Sequence, residues 1–200
     1  MGFTSIQVDQ MLKPIAKQRV LRDARGHAHV SQQDILAHLI RCFGFGNFDT
    51  DVLNVELIFE EARTKDGELG PVMTGKWDVC YRALVRLTVR DPHGLEICHY
   101  ENGSTATAQN QARGDAHDLS MKAAISLSVK RAATALGDQF GLSLYSKGQM
   151  SALVLGTLVR PDGSVEELKD MQEGVPRQEV LGNDEEGRPL IGEVEPEDAT

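Results

Sequence analysis

Alternation of apolar and polar side chains is the strongest signal in this chain. Between Lys76 and Arg90, the residues Trp77, Val79, Tyr81, Ala83, Val85, Leu87 and Val89 hold one parity. Cys80, Arg82, Leu84, Arg86, Thr88 and Arg90 hold the other. A period of two kept up over that length predicts a strand with two distinct faces. An earlier strand is expected over Val52–Ala62, where Leu53, Val55, Leu57 and Phe59 share one side, and a later one over Leu95–Ala106. Lys65-Asp66-Gly67 and Gly70-Pro71 punctuate the first connection, and Asp91-Pro92-His93-Gly94 the second. A further strand is expected over Ala152–Arg160.

Helical periodicity flanks these strands. Ser5–Leu12 predicts a short helix ending before Pro14. Ser31 suits an N-cap, with Asp34 three residues on. Ile35, Leu36, Leu39, Ile40 and Phe43 then recur at helical spacing until Gly44 and Gly46 stop them. The run Phe43-Gly44-Phe45-Gly46-Asn47-Phe48 predicts a tight, exposed turn. A second long helix is expected over Asp115–Leu136, with Leu119, Ala123, Leu127, Ala132 or Ala133 and Leu136 on its apolar face and Gly137 and Gly141 closing it. The order helix, three strands, helix, with short turns between strands, predicts an α+β fold: an antiparallel three- to four-stranded sheet with helices packed on one face.

Charge divides the chain. Residues 164–200 hold three basic side chains against twelve acidic ones. Their net −9 equals that of the whole chain, so residues 1–163 are neutral. The 164–200 segment is rich in Glu, Gly and Pro and predicts a mostly disordered acidic tail behind one domain at 1–163. A neutral body can still carry a basic stripe, so overall acidity does not exclude a polyanion partner. No stretch approaches the about 18 apolar residues of a membrane helix, and the N-terminus lacks a secretory layout. Three widely spaced cysteines, Cys42, Cys80 and Cys98, read as reduced thiols, which predicts a cytoplasmic protein.

Two basic patterns are candidates for chemistry. Lys122, Ser126 and Lys130 recur at i, i+4 and i+8 with Arg131 adjacent. The two lysines fall within about 80° of each other, about 12 Å apart along the axis, a spacing that suits phosphates on a single strand. They also suit the solvated face of an ordinary amphipathic helix. Arg82, Arg86 and Arg90 share one strand face at about 13 Å per step. They are either phosphate ligands or cross-strand partners of acids such as Glu56, Glu60 or Glu96. His27, His29, His38 and Cys42 fit no standard zinc spacing, and His117 beside Asp115 and Asp118 is a weak acid–base candidate. Phosphate-loop, dinucleotide and nucleophile-elbow motifs are all absent from the sequence. The chain therefore reads as a binding protein, not an enzyme, with no cofactor or metal.

The stretch Lys122–Ser146, KAAISLSVKRAATALGDQFGLSLYS, together with FGFGNFD at Phe43–Asp49, resembles the Rad52/Rad22 family of single-strand annealing proteins. The resemblance covers about residues 27–147 and looks closest to bacterial or phage versions. It implies a ring of about ten or more subunits with a basic groove holding single-stranded DNA, backbone inward and bases outward, and annealing of complementary strands in recombination and repair without ATP. By the same resemblance, Lys122, Lys130 and Arg131 match an inner groove, and Lys76, Arg86 and Arg113 an outer site. Arg82, Arg90, Arg41 and Phe45 are additional candidate contacts. The family's third helix arginine falls at Thr134. A basic position in its first helix falls at Asp34, for which Arg19–Arg25 or Arg41 could compensate. A single-strand-binding protein or an exonuclease is the expected partner class. Two alternatives stay open: a ring-forming structural or chaperone-like protein without annealing activity, and a metal-dependent nuclease using His27, His29 and His38.

Overall fold

The computed structural model describes residues 2–24, 26–146, 148–157, 178–183 and 189–193. Its elements run α1 (Ser5–Met11), β1 (Leu21–Arg22), β2 (Ala28–His29), α2 (Gln32–Phe43), β3 (Phe48–Gly67), β4 (Gly70–Arg90), β5 (Glu96–Gln111) and α3 (Arg113–Ala133). Tight 3-10 turns follow at Thr134–Leu136, Asp138–Phe140 and Ser143–Tyr145. The long strands form one antiparallel sheet in the order β3-β4-β5, and β1 and β2 form a separate short ladder. The α+β class with helices against an antiparallel sheet is thus the observed one, and the main sheet has three strands.

Alternation in β4 survives intact where the helix covers it. Val79, Ala83, Val85, Leu87 and Val89 are fully buried, and the face carrying Arg82, Leu84 and Arg86 is more open. The strand is longer than expected because it pairs to its very start. Gly67 opposes Gly70, and Glu68-Leu69 close the hairpin. At about 3.3 Å per residue the hairpin arms far outrun α3, which rises only about 1.5 Å per residue. Residues 63–76 are exposed throughout.

Two expectations are corrected. In β3 the register shifts between Val52 and Asn54 and between Leu57 and Phe59. Each bulge inserts a residue and breaks the parity. Val55 and Leu57 oppose Ala83 and Tyr81 on the helix-covered side, whereas Phe59 opposes Cys80 on the other, and Leu53 falls at a bulge. The four residues therefore do not share one face. In α3 the buried residues are Ala116, Ser120, Ala124, Ser128, Val129, Ala132 and Ala133, so the expected face holds at Ala132 and Ala133 but not in the first half of the helix. Leu119 is 49% exposed. Small side chains let the helix sit close to the sheet. The Ser128 hydroxyl lies 3.0 Å from the Ala83 carbonyl of β4 and 2.8 Å from Ala124 O.

The main core lies at one end, where α2, the last part of β4, the C-terminal turn of α3 and the 3-10 turns meet. Ile35, Leu39, Phe43, Leu87, Val89, Leu136, Phe140 and Leu144 pack there. The Ser31 hydroxyl accepts from Asp34 N, so α2 begins where expected. The run Leu136–Gly141 assembles this end residue by residue. Gly137 has φ +104°, and a Cβ there would sit 3.0 Å from Met11 O of α1, so only glycine fits. The buried Asp138 carboxylate accepts Leu153 N and Val154 N at 2.9 and 3.0 Å. Gln139 donates to Lys13 O and Pro14 O. Phe140 stacks on Phe43 and meets His38 edge-on.

Capture by Asp138 also corrects the expectation of a strand at Ala152–Arg160. Residues 152–157 form none, because two of their amides are spent on that carboxylate; residues 158–160 lie outside the described residues. In the acidic segment, β6 (Gln178–Asn183) and β7 (Pro189–Glu193) pair antiparallel. The rest of the predicted disordered tail from 164 lies outside the described residues.

Candidate nucleic-acid interface

Cationic side chains fall into two groups, those already neutralised within the protomer and those without a carboxylate partner. The strand arginines belong to the first. Arg82 of β4 pairs with Glu56 of β3. Arg86 reaches Glu101 of β5 at 2.5 Å, and the bond pushes its guanidinium pKa up. Arg90 pairs with Asp49. Of the acids foreseen as partners for this row, Glu56 fills the role. Glu60 is taken by Arg113, and Glu96 lies 2.6 Å from His99.

Arg113 opens α3 and belongs to a wider cluster. Its Nε lies 2.5 Å from Glu60, and its guanidinium sits 4.9 Å from the Trp77 ring centroid. His117 Nε2 stands 3.2 Å from the same carboxylate, and its Nδ1 stands 2.9 Å from the Tyr81 hydroxyl. The Arg113 bond, then the His117 bond, hold the Glu60 pKa below the ordinary range. His117 thus faces Glu60 and Tyr81, where its neighbours in sequence had suggested Asp115 and Asp118. The corner before α3 is set by Asp78, whose carboxylate takes Arg63 at 2.7 Å and the amide of Asn110 at 2.8 Å. Asn110 has φ +57°, a conformation asparagine tolerates.

Lys130 and Arg131 behave differently. They occupy the last turn of α3, where the negative end of the helix dipole favours cations. Among the described residues neither has a carboxylate partner. Lys130 is partly buried, and that burial lowers its ammonium pKa. A lysine left in this state gains from an anion brought to it. Arg131 is exposed, with its guanidinium 6.0 Å from the Tyr145 ring centroid. The two side chains line separate hollows that meet at Thr134. Arg131 lines an open depression of about 440 Å³ against β5, with Tyr100 and Asn102. Lys130 lines an apolar pocket of about 130 Å³ under β2.

The other candidates are dispersed. Lys122 is exposed, one full turn from Asp118, which it meets at 2.7 Å. Lys76 is exposed on the hairpin arm and has no carboxylate partner among the described residues. Phe45 is 85% exposed in its glycine turn. Arg41 is exposed near His38. Arg19 cannot stand in for the basic position missing at Asp34, because it is held by that very residue at 2.8 Å and by Gln139; Arg25 lies outside the described residues. His38 is buried in the core and His27 faces Asp23. Among the described residues, no three metal-capable side chains converge. Thr134, where the resemblance had placed the family's third helix arginine, is the C-cap of α3. Tyr145 and His29 were not foreseen here, and the turn after Gly137 and β2 bring them to this end of the helix.

A three-stranded antiparallel sheet is backed by one long helix, and among the described residues Lys130 and Arg131 at the end of that helix have no carboxylate partner. Residues 4–155 match the Rad52/22 family double-strand break repair protein, and the chain belongs to that family. Membership places it in double-strand break repair and, in general terms, DNA annealing. Among curated proteins, none matches the chain. Among the described residues no helix is long and apolar enough to cross a membrane.

Proposed function

We propose that this protein binds single-stranded DNA through its sugar-phosphate backbone and anneals complementary strands without ATP, a cofactor or enzymatic turnover. The observation that carries the reading is the pair Lys130 and Arg131 on one turn of α3, neither of which has a carboxylate partner among the described residues. Both are poised to bind phosphate at no cost in broken internal ion pairs. Lys122 extends this inner track. Lys76 begins a second, outer site, where Arg86 and Arg113 join once DNA displaces Glu101 and Glu60. Backbone contact leaves sequence unread, so base pairing alone selects the partner strand. Duplex formation is downhill and needs no hydrolysis.

Side-by-side assembly multiplies a weak contact into a continuous one. Val52 and Leu57 lie on the helix side of β3 yet are 49% and 43% exposed, because α3 covers β4 and β5 instead. That uncovered apolar strip supports a homo-oligomeric ring of about ten or more copies. A cytoplasmic location and a single-strand-binding protein or exonuclease partner complete the proposal. The neutralised strand arginines favour one rival, a structural ring that does not touch DNA. Annealing of complementary oligonucleotides in buffer without nucleotide decides between them. Wild type should anneal, and the double variant Lys130→Ala/Arg131→Ala should keep its native mass and lose most of the rate. An unchanged rate in that variant would favour the rival.

A further inference from the structure

The pocket beside Lys130 is unlike a bare phosphate site. Val30, Ile35, Leu127, Phe140 and Leu144 form its walls, and its volume is about 130 Å³. Apolar cavities of about 150 Å³ are known to admit one benzene ring. Its lining also holds the polar side chains of His29, Lys130, Thr134 and Tyr145. Among the described residues Lys130 has no carboxylate partner, and His29 has one ring nitrogen turned to the His27 carbonyl at 3.4 Å. A ligand that suits this site carries a single flat ring for the hollow and a negative charge for the lysine.

We propose that each protomer takes one pyrimidine base of the bound strand into this pocket, with the adjoining phosphate on Lys130. The inference rests on the strand-binding reading above and adds a base subsite to it. Most bases still face outward, while one per protomer is turned in and pins the strand against sliding. That base must leave before it can pair, so the pocket also sets a brake on annealing.

The test compares oligo-dT with an oligomer of equal length made wholly of abasic tetrahydrofuran nucleotides, by fluorescence anisotropy at low salt on the full chain. Phosphate charge is the same in both. Wild type should bind the thymine strand about fivefold or more tightly, the low end of what one base held against an aromatic ring contributes. Leu127→Trp, which fills the hollow from α3, should bind both strands with the abasic affinity. A second measurement needs no variant. A 5-propynyl-deoxyuridine strand, whose ring is too large for the pocket, should also drop to the abasic level. Equal binding of thymine and abasic strands by wild type overturns the base subsite while leaving backbone binding intact. A preference that survives Leu127→Trp and vanishes in Phe45→Ala also overturns it, because the base then stacks on the exposed ring of Phe45. Failure to bind any strand overturns both readings.

Discussion

Salt dependence separates the two groups of cations. Binding a phosphate releases about 0.7 of a counterion per contact on a single strand. A side chain releases its share only if it enters the complex as a free cation. Among the described residues Lys130 and Arg131 have no carboxylate partner; Arg82 and Arg86 are already held by Glu56 and Glu101. Replacing both helix residues by alanine should therefore flatten the slope of log affinity against log salt by about 1.4 per protomer engaged. Across a fourfold change in salt, that alters the ratio of wild-type to variant affinity about sevenfold. Arg82→Ala/Arg86→Ala should leave the slope close to wild type. The assay is anisotropy of a short labelled oligo-dT from low to moderate potassium chloride, with native mass recorded for each variant. An equal or larger loss of slope in the strand variant would show that Arg82 and Arg86 release counterions like free cations despite Glu56 and Glu101, and the division into free and neutralised cations would fall.

Two further outcomes follow from buried polar groups. His38 has its pKa lowered to about 4, first by burial, then by Arg19 and Arg41. The unfolded chain takes up that proton near 6.5 and the folded one does not, so stability falls as pH drops through this window. Urea unfolding should show a loss of about 2 kcal/mol between pH 7 and pH 5, absent in His38→Leu; equal midpoints in the wild type would refute it. Asp138→Ala strands two amides and should cost on the order of 3 kcal/mol, with residues 148–157 becoming the first point of proteolysis. An unchanged urea midpoint would show that water replaces the carboxylate.

The sheet was legible because β4 is covered along the helix side and open on the other, so its sequence alternates cleanly. β3 was less so. Bulges at Leu53 and Ile58 obey the twist of the whole sheet, and no local pattern announces them. The first half of the buried stripe of α3 was misphased for a related reason, while Ala132, Ala133 and Leu136 are buried as expected. Leucine counts as core in any periodicity, yet close packing against β4 demanded Ala116, Ser120, Ala124 and Ser128, and Leu119 was turned outward. Family resemblance marked the Leu136–Gly141 run without saying why it matters. Its reasons are long-range bonds from Asp138 and Gln139 to segments far away in sequence. The same limit applies to the charges. Arg82 and Arg131 look alike in the sequence. Only strand register, which sets Glu56 opposite Arg82, separates the neutralised from the free.

The overhanging end of the β3–β4 hairpin has a thermodynamic consequence. From residue 63 to 76 it is a two-stranded ribbon with no third layer, and such ribbons are only marginally stable in water. In a lone protomer the overhang opens at little free-energy cost while the helix-backed half stays shut, so amide exchange is graded along a single pair of strands. Lys76 stands near that boundary. Anything that braces the ribbon, whether a neighbouring copy or a captured strand, stiffens the arm on which this lysine rides.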